Sequence, residues 1–230
     1  LTVQKDIGKI YKGVWLPATD THFPAMMDKN PEVHGRGTYQ HKKFVASMRY
    51  VHKRRVALDI GAHVGFWTMS LRRNFEQVIA FEPHALHAEL FRRNIAGAKN
   101  VVLHEVALGA GSGMVDLIYT AGNTGNTHIK MGPGSQVPMT TLESYTSQLA
   151  EVDFIKVDVE GFELNVLEGA TPTILRCKPV IICENKGNDT KNFEGEGKQN
   201  AIAYLESLGM VRAKDLGGDF IMIWPKRKRK

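Results

Sequence analysis

From residue 56 onward, short apolar runs alternate with stretches whose apolar positions recur every three or four residues. The runs predict strands near 56–60, 77–81, 100–104, 153–158, 179–183 and 219–224. The periodic stretches predict helices near 65–74, 84–96, 161–170 and 199–208. This alternation predicts an α/β fold with a mostly parallel sheet and helices on both faces. The end of the chain breaks the pattern. Residues 210–213 and 219–224 flank Gly217-Gly218, a hairpin signal, so the last strand is expected to run antiparallel. Ahead of the sheet, Pro17, Pro24, Pro31, Gly35 and Gly37 break residues 1–38 into irregular chain, with one strand or hairpin arm over 10–16. Residues 39–55 predict an amphipathic helix, in which Phe44, Val45, Met48 and Val51 interleave with basic residues. Residues 109–139 lack helical periodicity and read as short strands plus a mobile loop over the site.

Chemistry enters where the apolar runs end. The first run closes on Asp59-Ile-Gly61-Ala-His63-Val-Gly65, a strand, a tight turn and a helix start. A dinucleotide loop needs a bare middle glycine against the pyrophosphate, and here that position is His63. The Asp59 carboxylate would also repel a diphosphate. It suits a ligand with an ammonium group, a sulfonium and no phosphate, which describes S-adenosylmethionine. The second run ends in Glu82-Pro83, about 20 residues beyond the loop, where a carboxylate accepts hydrogen bonds from ribose hydroxyls. Asp59, Gly61, His63, Gly65, Glu82, Val106 and Asp158 form the candidate cofactor-binding set.

Two further runs also end in acids. Asp158 closes the run 154–157 ahead of Val159-Glu160-Gly161, and Glu184-Asn185 closes the run 180–183. Ligands of open α/β sheets lie outside the carboxyl ends of the strands, so Asp158 and Glu184 are expected to face the crevice of Asp59 and Glu82. Asp158, Glu184 and Asn185 are an all-oxygen set that could hold Mg²⁺, although metal-free chemistry is preferred because the set is incomplete. Glu160 could cap the next helix, and Glu163 suits the positive end of its dipole. Asp158, Glu184 and His128 are the candidate catalytic residues, the histidine chosen over His41 and His63 because it lies in the loop above the site.

The 230 residues divide into an N-terminal extension with its basic helix over 1–55 (a candidate acceptor-binding cap), a catalytic domain over 56–225 and a basic tail over 226–230. Hydrophobic residues make up 43% of the chain, enough for a full core. No apolar run approaches the roughly 18 residues of a membrane span. Two cysteines and a first decapeptide without an apolar signal segment predict a reduced, cytoplasmic protein. The net charge is +6, but Lys226-Arg-Lys-Arg-Lys230 carries most of it, and without that tail the chain is nearly balanced. Lys42, Lys43, Arg49, Lys53, Arg54 and Arg55 form a second, local cluster. It is read first as a solvated helix face, with nucleic acid or another anionic partner as the alternative.

Taken together, the Asp59–Gly65 loop, Phe81-Glu82-Pro83, Thr140-Thr141-Leu142-Glu143 and Ile155-Lys-Val-Asp158-Val-Glu160-Gly161 with Leu167-Glu-Gly-Ala170 resemble the FkbM family of S-adenosylmethionine-dependent methyltransferases. The resemblance covers about 56–185. It implies a Rossmann-like class I fold, a seven-stranded sheet with one antiparallel strand near the C-terminus. It also implies O-methylation, often of sugar or natural-product hydroxyls, with Mg²⁺ in related macrolide sugar methyltransferases. One position departs: the family loop usually carries Asn where this chain has His63. Two other functions compete with a small-molecule or glycosidic acceptor. Nucleic-acid methylation is motivated by the basic clusters, but the base-amine motif of the N/D-P-P-Y/F type is missing. A non-catalytic binding or scaffold role is the other.

Overall fold

The computed structural model describes residues 7–130, 135–185 and 200–225. The tail 226–230 lies outside them. The described part opens with a hairpin, β1 (Gly8–Tyr11) and β2 (Val14–Pro17), turning on Lys12-Gly13 with φ of 45° and 71°. Two consecutive positive φ angles match the right-handed strand twist, and glycine takes the second at little cost. After α1 (His22–Asp28), a shorter hairpin of β3 (Glu32–Val33) and β4 (Arg36–Gly37) turns the same way on His34-Gly35, with φ of 52° and 71°. The expectation of irregular chain over 1–38 is thus corrected for its described part, residues 7–38. Several of its glycines and prolines are the turn and end residues of very short elements.

The basic helix is also shorter than expected. α2 spans His41–Met48, and the chain then runs toward β5 (Val56–Ile60). Asp153 fixes the end of this run by accepting from both the Arg55 backbone N–H (2.8 Å) and its guanidinium. Two of the six clustered cations are neutralised internally, Lys43 by buried Asp219 and Arg55 by Asp153 and Glu151.

The remaining elements are α3 (Phe66–Leu71), β6 (Gln77–Phe81), α4 (Ala85–Ile95), β7 (Val101–His104), β8 (Ala107–Leu108), β9 (Gly113–Ile118), β10 (His128–Lys130), β11 (Ser135–Thr140), α5 (Glu143–Thr146), β12 (Phe154–Val157), α6 (Glu163–Cys177), β13 (Val180–Glu184), α7 (Ala201–Ser207), β14 (Val211–Asp215) and β15 (Asp219–Ile223). Seven strands form one sheet in the order β14-β15-β13-β12-β5-β6-β7. The five from β13 to β7 are parallel, and β15 lies antiparallel between β13 and β14. The central strands are buried along their whole length, as they must be with layers on both faces. One face carries Leu58, Ile60, Phe81, Ile155 and Leu167; the other carries Ala57, Trp67, Leu71, Val78 and Phe154.

α6 runs past the expected end at 170 and contains Pro172. The lost N–H would have bonded the carbonyl of Glu168, an exposed residue, so water can satisfy that carbonyl. The short strands β8, β9, β10 and β11 form a second, four-stranded sheet in the order β10-β9-β11-β8. The N-terminal extension shares a core with the main sheet's helices, through Val14, Leu16, Phe23 and Met27 against Val64, Phe66 and Leu90. Both cysteines are free thiols. Among the described residues, no helix is long and apolar enough to cross a membrane.

Candidate active site

A cleft with about 880 Å³ of empty space, open mouth included, lies at the carboxyl ends of β5, β6 and β12. Its floor is the turn after β5. Gly61 has φ of 72°, and a Cβ there would collide with the Asp158 backbone carbonyl, so this glycine is needed for both conformation and close approach. Gly65 has φ of 92°, and a Cβ there would press on the Phe91 ring at 2.9 Å. Gly65 does not line the cleft; it lets α3 start against α4. His63 between them is also left-handed, with φ of 51°. Asn and His tolerate that region better than most residues, which gives a physical reason for Asn or His at this position.

Glu82 projects from the end of β6 into the cleft, 6% exposed. Its Oε2 accepts from the His63 backbone N–H (2.9 Å), and its Oε1 accepts from the His84 N–H (2.9 Å) and from His87 Nδ1 (3.3 Å). Burial alone would raise this carboxyl, but the His87 hydrogen bond and charge and the two backbone donors outweigh it and hold Glu82 below its ordinary value. Glu82 is therefore an anion at neutral pH.

Asp59 sits differently from the position the sequence suggested. Its carboxylate is fully buried beneath the turn and does not line the cleft. One oxygen accepts from Thr68 Oγ1 (2.6 Å), and the other faces Lys156 Nζ at 3.5 Å. Lys156 lies directly beside Asp59 on the neighbouring strand. Its ammonium also donates to the carbonyls of Ile60 (3.2 Å) and Gly61 (2.5 Å). Burial opposes this charge, yet Asp59 and Asp158 hold Lys156 above its ordinary value. Lys156 lines the cleft, so it rather than Asp59 brings charge to the floor. The sequence signal for it was a cation inside an otherwise apolar buried strand, which is costly unless paired.

Asp158 and Glu160 line the far side of the cleft. With Glu184, their carboxylates come within 4.8 Å of one another. Asn185 plays another part: its N–H donates to the Gly218 carbonyl (2.7 Å), and its side-chain amide donates to Asn200 (3.4 Å). Glu160 does not take the helix-capping role expected of it: Phe162 holds the position ahead of α6 and makes no side-chain cap. Glu163, the first helical residue, instead pins the loop before the helix, its carboxylate accepting from the N–H groups of Val159 (2.9 Å) and Gly161 (3.0 Å). Glu163 is 1% exposed, and burial pushes it up to about 7 despite those bonds. Glu160, bent back at φ of 54°, is left facing the cleft.

The roof comes from segments far apart in sequence. Buried Asp20 accepts from the Phe23 N–H (2.8 Å) and from both the N–H (2.8 Å) and hydroxyl (2.6 Å) of Thr124. The Thr124 hydroxyl also meets His63 Nε2 at 2.9 Å. That hydroxyl has one proton and gives it to the carboxylate, so His63 Nε2 must be the donor. Its Nδ1 is then a bare lone pair, buried with no hydrogen-bond partner among the described residues. Burial, then the charges of His87 and Lys156, hold His63 well below the usual histidine range, so the ring is neutral. His128 lines the cleft, and its Nδ1 lies 2.9 Å from the Asn126 carbonyl, which can only accept. In the neutral ring this contact places the proton on Nδ1 and leaves the lone pair on Nε2. Phe23, Tyr39 and Phe66 complete an aromatic wall, with Phe23 centred 5.0 Å from each of the other two rings. Sequence reasoning missed Asp20 and Thr124, whose partnership has no local signature. Val106 lines the cleft beside Leu108 and Leu117.

Seven strands in this order, with one reversed near the end and a cleft over the central carboxyl ends, define the fold of class I methyltransferases. Solved structures agree. A candidate O-methyltransferase from Klebsiella pneumoniae is 17% identical, covers 89% of this chain and 90% of its own, and gives a TM-score of 0.50. The Methanococcus jannaschii fibrillarin pre-rRNA processing protein is 14% identical, with 84% and 81% covered and a TM-score of 0.50. Methyltransferase 1 of Beauveria bassiana is 24% identical over 163 residues. The aligned region takes in 57% of this chain and 66% of that relative, so the chain matches less than two thirds of its length. The pattern described as the methyltransferase FkbM domain matches residues 59–211. The chain belongs to the FkbM methyltransferase family, whose methyl donor is S-adenosylmethionine.

Proposed function

We propose that this protein transfers a methyl group from S-adenosylmethionine to a hydroxyl of a small-molecule or glycosidic acceptor. The carrying observation is the opposition of two acidic poles across one cleft, anionic Glu82 on the β6 side and Asp158 with Glu160 on the β12 side. In this reading Glu82 accepts from the ribose hydroxyls, and Gly61 lets the cofactor lie against bare backbone. The sulfonium needs no further activation, so the protein's main contribution is alignment. A neutral hydroxyl does need to lose its proton, and Asp158, or His128 through Nε2, accepts it. Asp59 contributes indirectly by fixing Lys156 and the turn.

Asp158, Glu160 and Glu184 are an all-oxygen donor set whose chemistry fits a hard divalent cation. Mg²⁺ held there would polarise the acceptor hydroxyl. The metal-free route is our reading. The test is methyl-labelled donor with separate panels of glycosides, phenols, amines and RNA, each with and without EDTA. Label on oxygen that survives EDTA and falls at least tenfold in Asp158→Asn supports the metal-free route. Loss with EDTA and recovery with Mg²⁺ replaces it with the metal-assisted one. Label recovered only on nitrogen or on RNA overturns the acceptor assignment.

A further inference from the structure

A second pocket, with about 560 Å³ of empty space, lies behind α3, on the far side of Phe66 from the cofactor cleft. Three segments build it: the β3–β4 hairpin, the start of α2, and the last turn of α3 with the residues after it. Arg36, Arg72 and Arg73 line it together with His34 and His41, and no carboxylate does. Arg54 joins the same face through a 3.0 Å hydrogen bond to Asn74, which also lines the pocket.

Such a concentration of guanidinium groups is unusual in this molecule. Arg55, Arg92, Arg93, Arg176 and Arg212 are all paired with carboxylates. Arg36 donates to the Asn94 carbonyl at 2.7 Å, a neutral acceptor. Arg72 and Arg73 have no ion-pair partner among the described residues. Arg72 Nε and His41 Nδ1 are buried without any hydrogen-bond partner there. Burial, followed by the charges of Arg73 and Arg36, holds Arg72 below its ordinary value. Like charges gathered without a counter-ion destabilise one another, and a planar guanidinium offers paired donors that match an oxyanion.

We propose that this pocket binds a phosphate group, with Arg36, Arg72 and Arg73 as its ligands. The site is separate from the methyl-transfer cleft and does not depend on the acceptor assigned above. The phosphate could belong to a small phosphomonoester or to a nucleic-acid backbone, since both present the same oxygens.

The experiment follows the melting temperature of the full chain with inorganic phosphate, against sodium chloride at matched ionic strength. Phosphate should raise it saturably while chloride does not, and the Arg72→Ala/Arg73→Ala variant should lose the shift. Arg73 is exposed, so Arg73→Glu alone serves as a variant that keeps the fold, and it should weaken phosphate binding at least tenfold. Binding of S-adenosylhomocysteine should stay unchanged in each variant, which separates this site from the cofactor reading. Competition then distinguishes the sources. Glycerol phosphate displacing phosphate as well as oligouridylate does supports a phosphomonoester; oligouridylate at least tenfold stronger supports a nucleic-acid backbone. An equal response to chloride, or full phosphate binding in Arg73→Glu, overturns the proposal.

Discussion

Replacing Glu163 by glutamine should flatten the dependence of folding stability on pH across neutrality. In the folded protein this carboxyl is raised from 4.5 to about 7, first by burial and further by the charge of Asp158, against the pull of the backbone N–H groups it accepts from. A raised acid binds its proton more tightly folded than unfolded, so its stabilising contribution is complete below its unfolded value. That contribution is lost as pH rises through about 7. The gap corresponds to roughly 3 kcal/mol at ~1.4 kcal/mol per pH unit. At 1% exposure, little of it is lost to solvent screening. The assay is urea unfolding of wild type and Glu163→Gln at matched pH values from about 4 to 8.5, which bracket both titrations. Groups common to both proteins largely cancel in the difference. The wild-type advantage should shrink by about 2–4 kcal/mol across that range, falling steadily between the unfolded value of 4.5 and the folded value of about 7 and levelling off above it. A difference that stays constant would refute the reasoning, because the loop's N–H groups would then be holding Glu163 in its ordinary ionised range.

Gly61→Ala should cost on the order of 3 kcal/mol or more, because it combines left-handed strain with a clash against backbone. Gly35→Ala, equally left-handed but with open space around it, should cost only about 1 kcal/mol, and thermal unfolding compares the two. Glu82→Gln should weaken S-adenosylhomocysteine binding by about 1–3 kcal/mol in calorimetry, the scale of a charged hydrogen-bond acceptor. His63→Asn should keep the turn, since Asn tolerates left-handed backbone, while losing about 1 kcal/mol with the Thr124 contact. His63→Ala should lose more on both counts, and urea unfolding of the pair reads the difference.

Most of the parallel sheet was legible because each central strand is a mostly apolar run, with Asp59 and Lys156 as the charged exceptions in β5 and β12, that holds an acid or ends beside one. β5 and β6 fall on the expected residues, and β7, β12 and β13 lie within one residue of theirs. The Gly217-Gly218 turn likewise marked the reversed β15. Three things were not legible. The hairpins of the N-terminal extension are too short to show a period. Pro172 looks like a helix terminator unless the exposure of Glu168 is known. The roof depends on Asp20 meeting Thr124, a pairing created by tertiary structure alone. Within the site, the motif acids Glu82 and Asp158 do line the cleft, because a parallel strand delivers its last residues there. Asp59 does not, since Thr68 and the neighbouring-strand Lys156 claim its oxygens.

The Asp20–Thr124–His63 relay also bears on how this chain can vary. Three positions in three separate segments share one proton inventory: the carboxylate takes the hydroxyl's hydrogen, and the hydroxyl takes the imidazole's. Any one replacement leaves a neighbour with a donor or acceptor out of place, so tolerated changes at the three should arrive together. A homologue with Asn at position 63 has no reason to keep this roof in the same form. Its N-terminal extension and its 119–127 loop are free to diverge as a pair. The residue that marks this chain's departure from the usual family loop is thus the point where the turn beneath the cleft is tied to the N-terminal extension and to the loop above it.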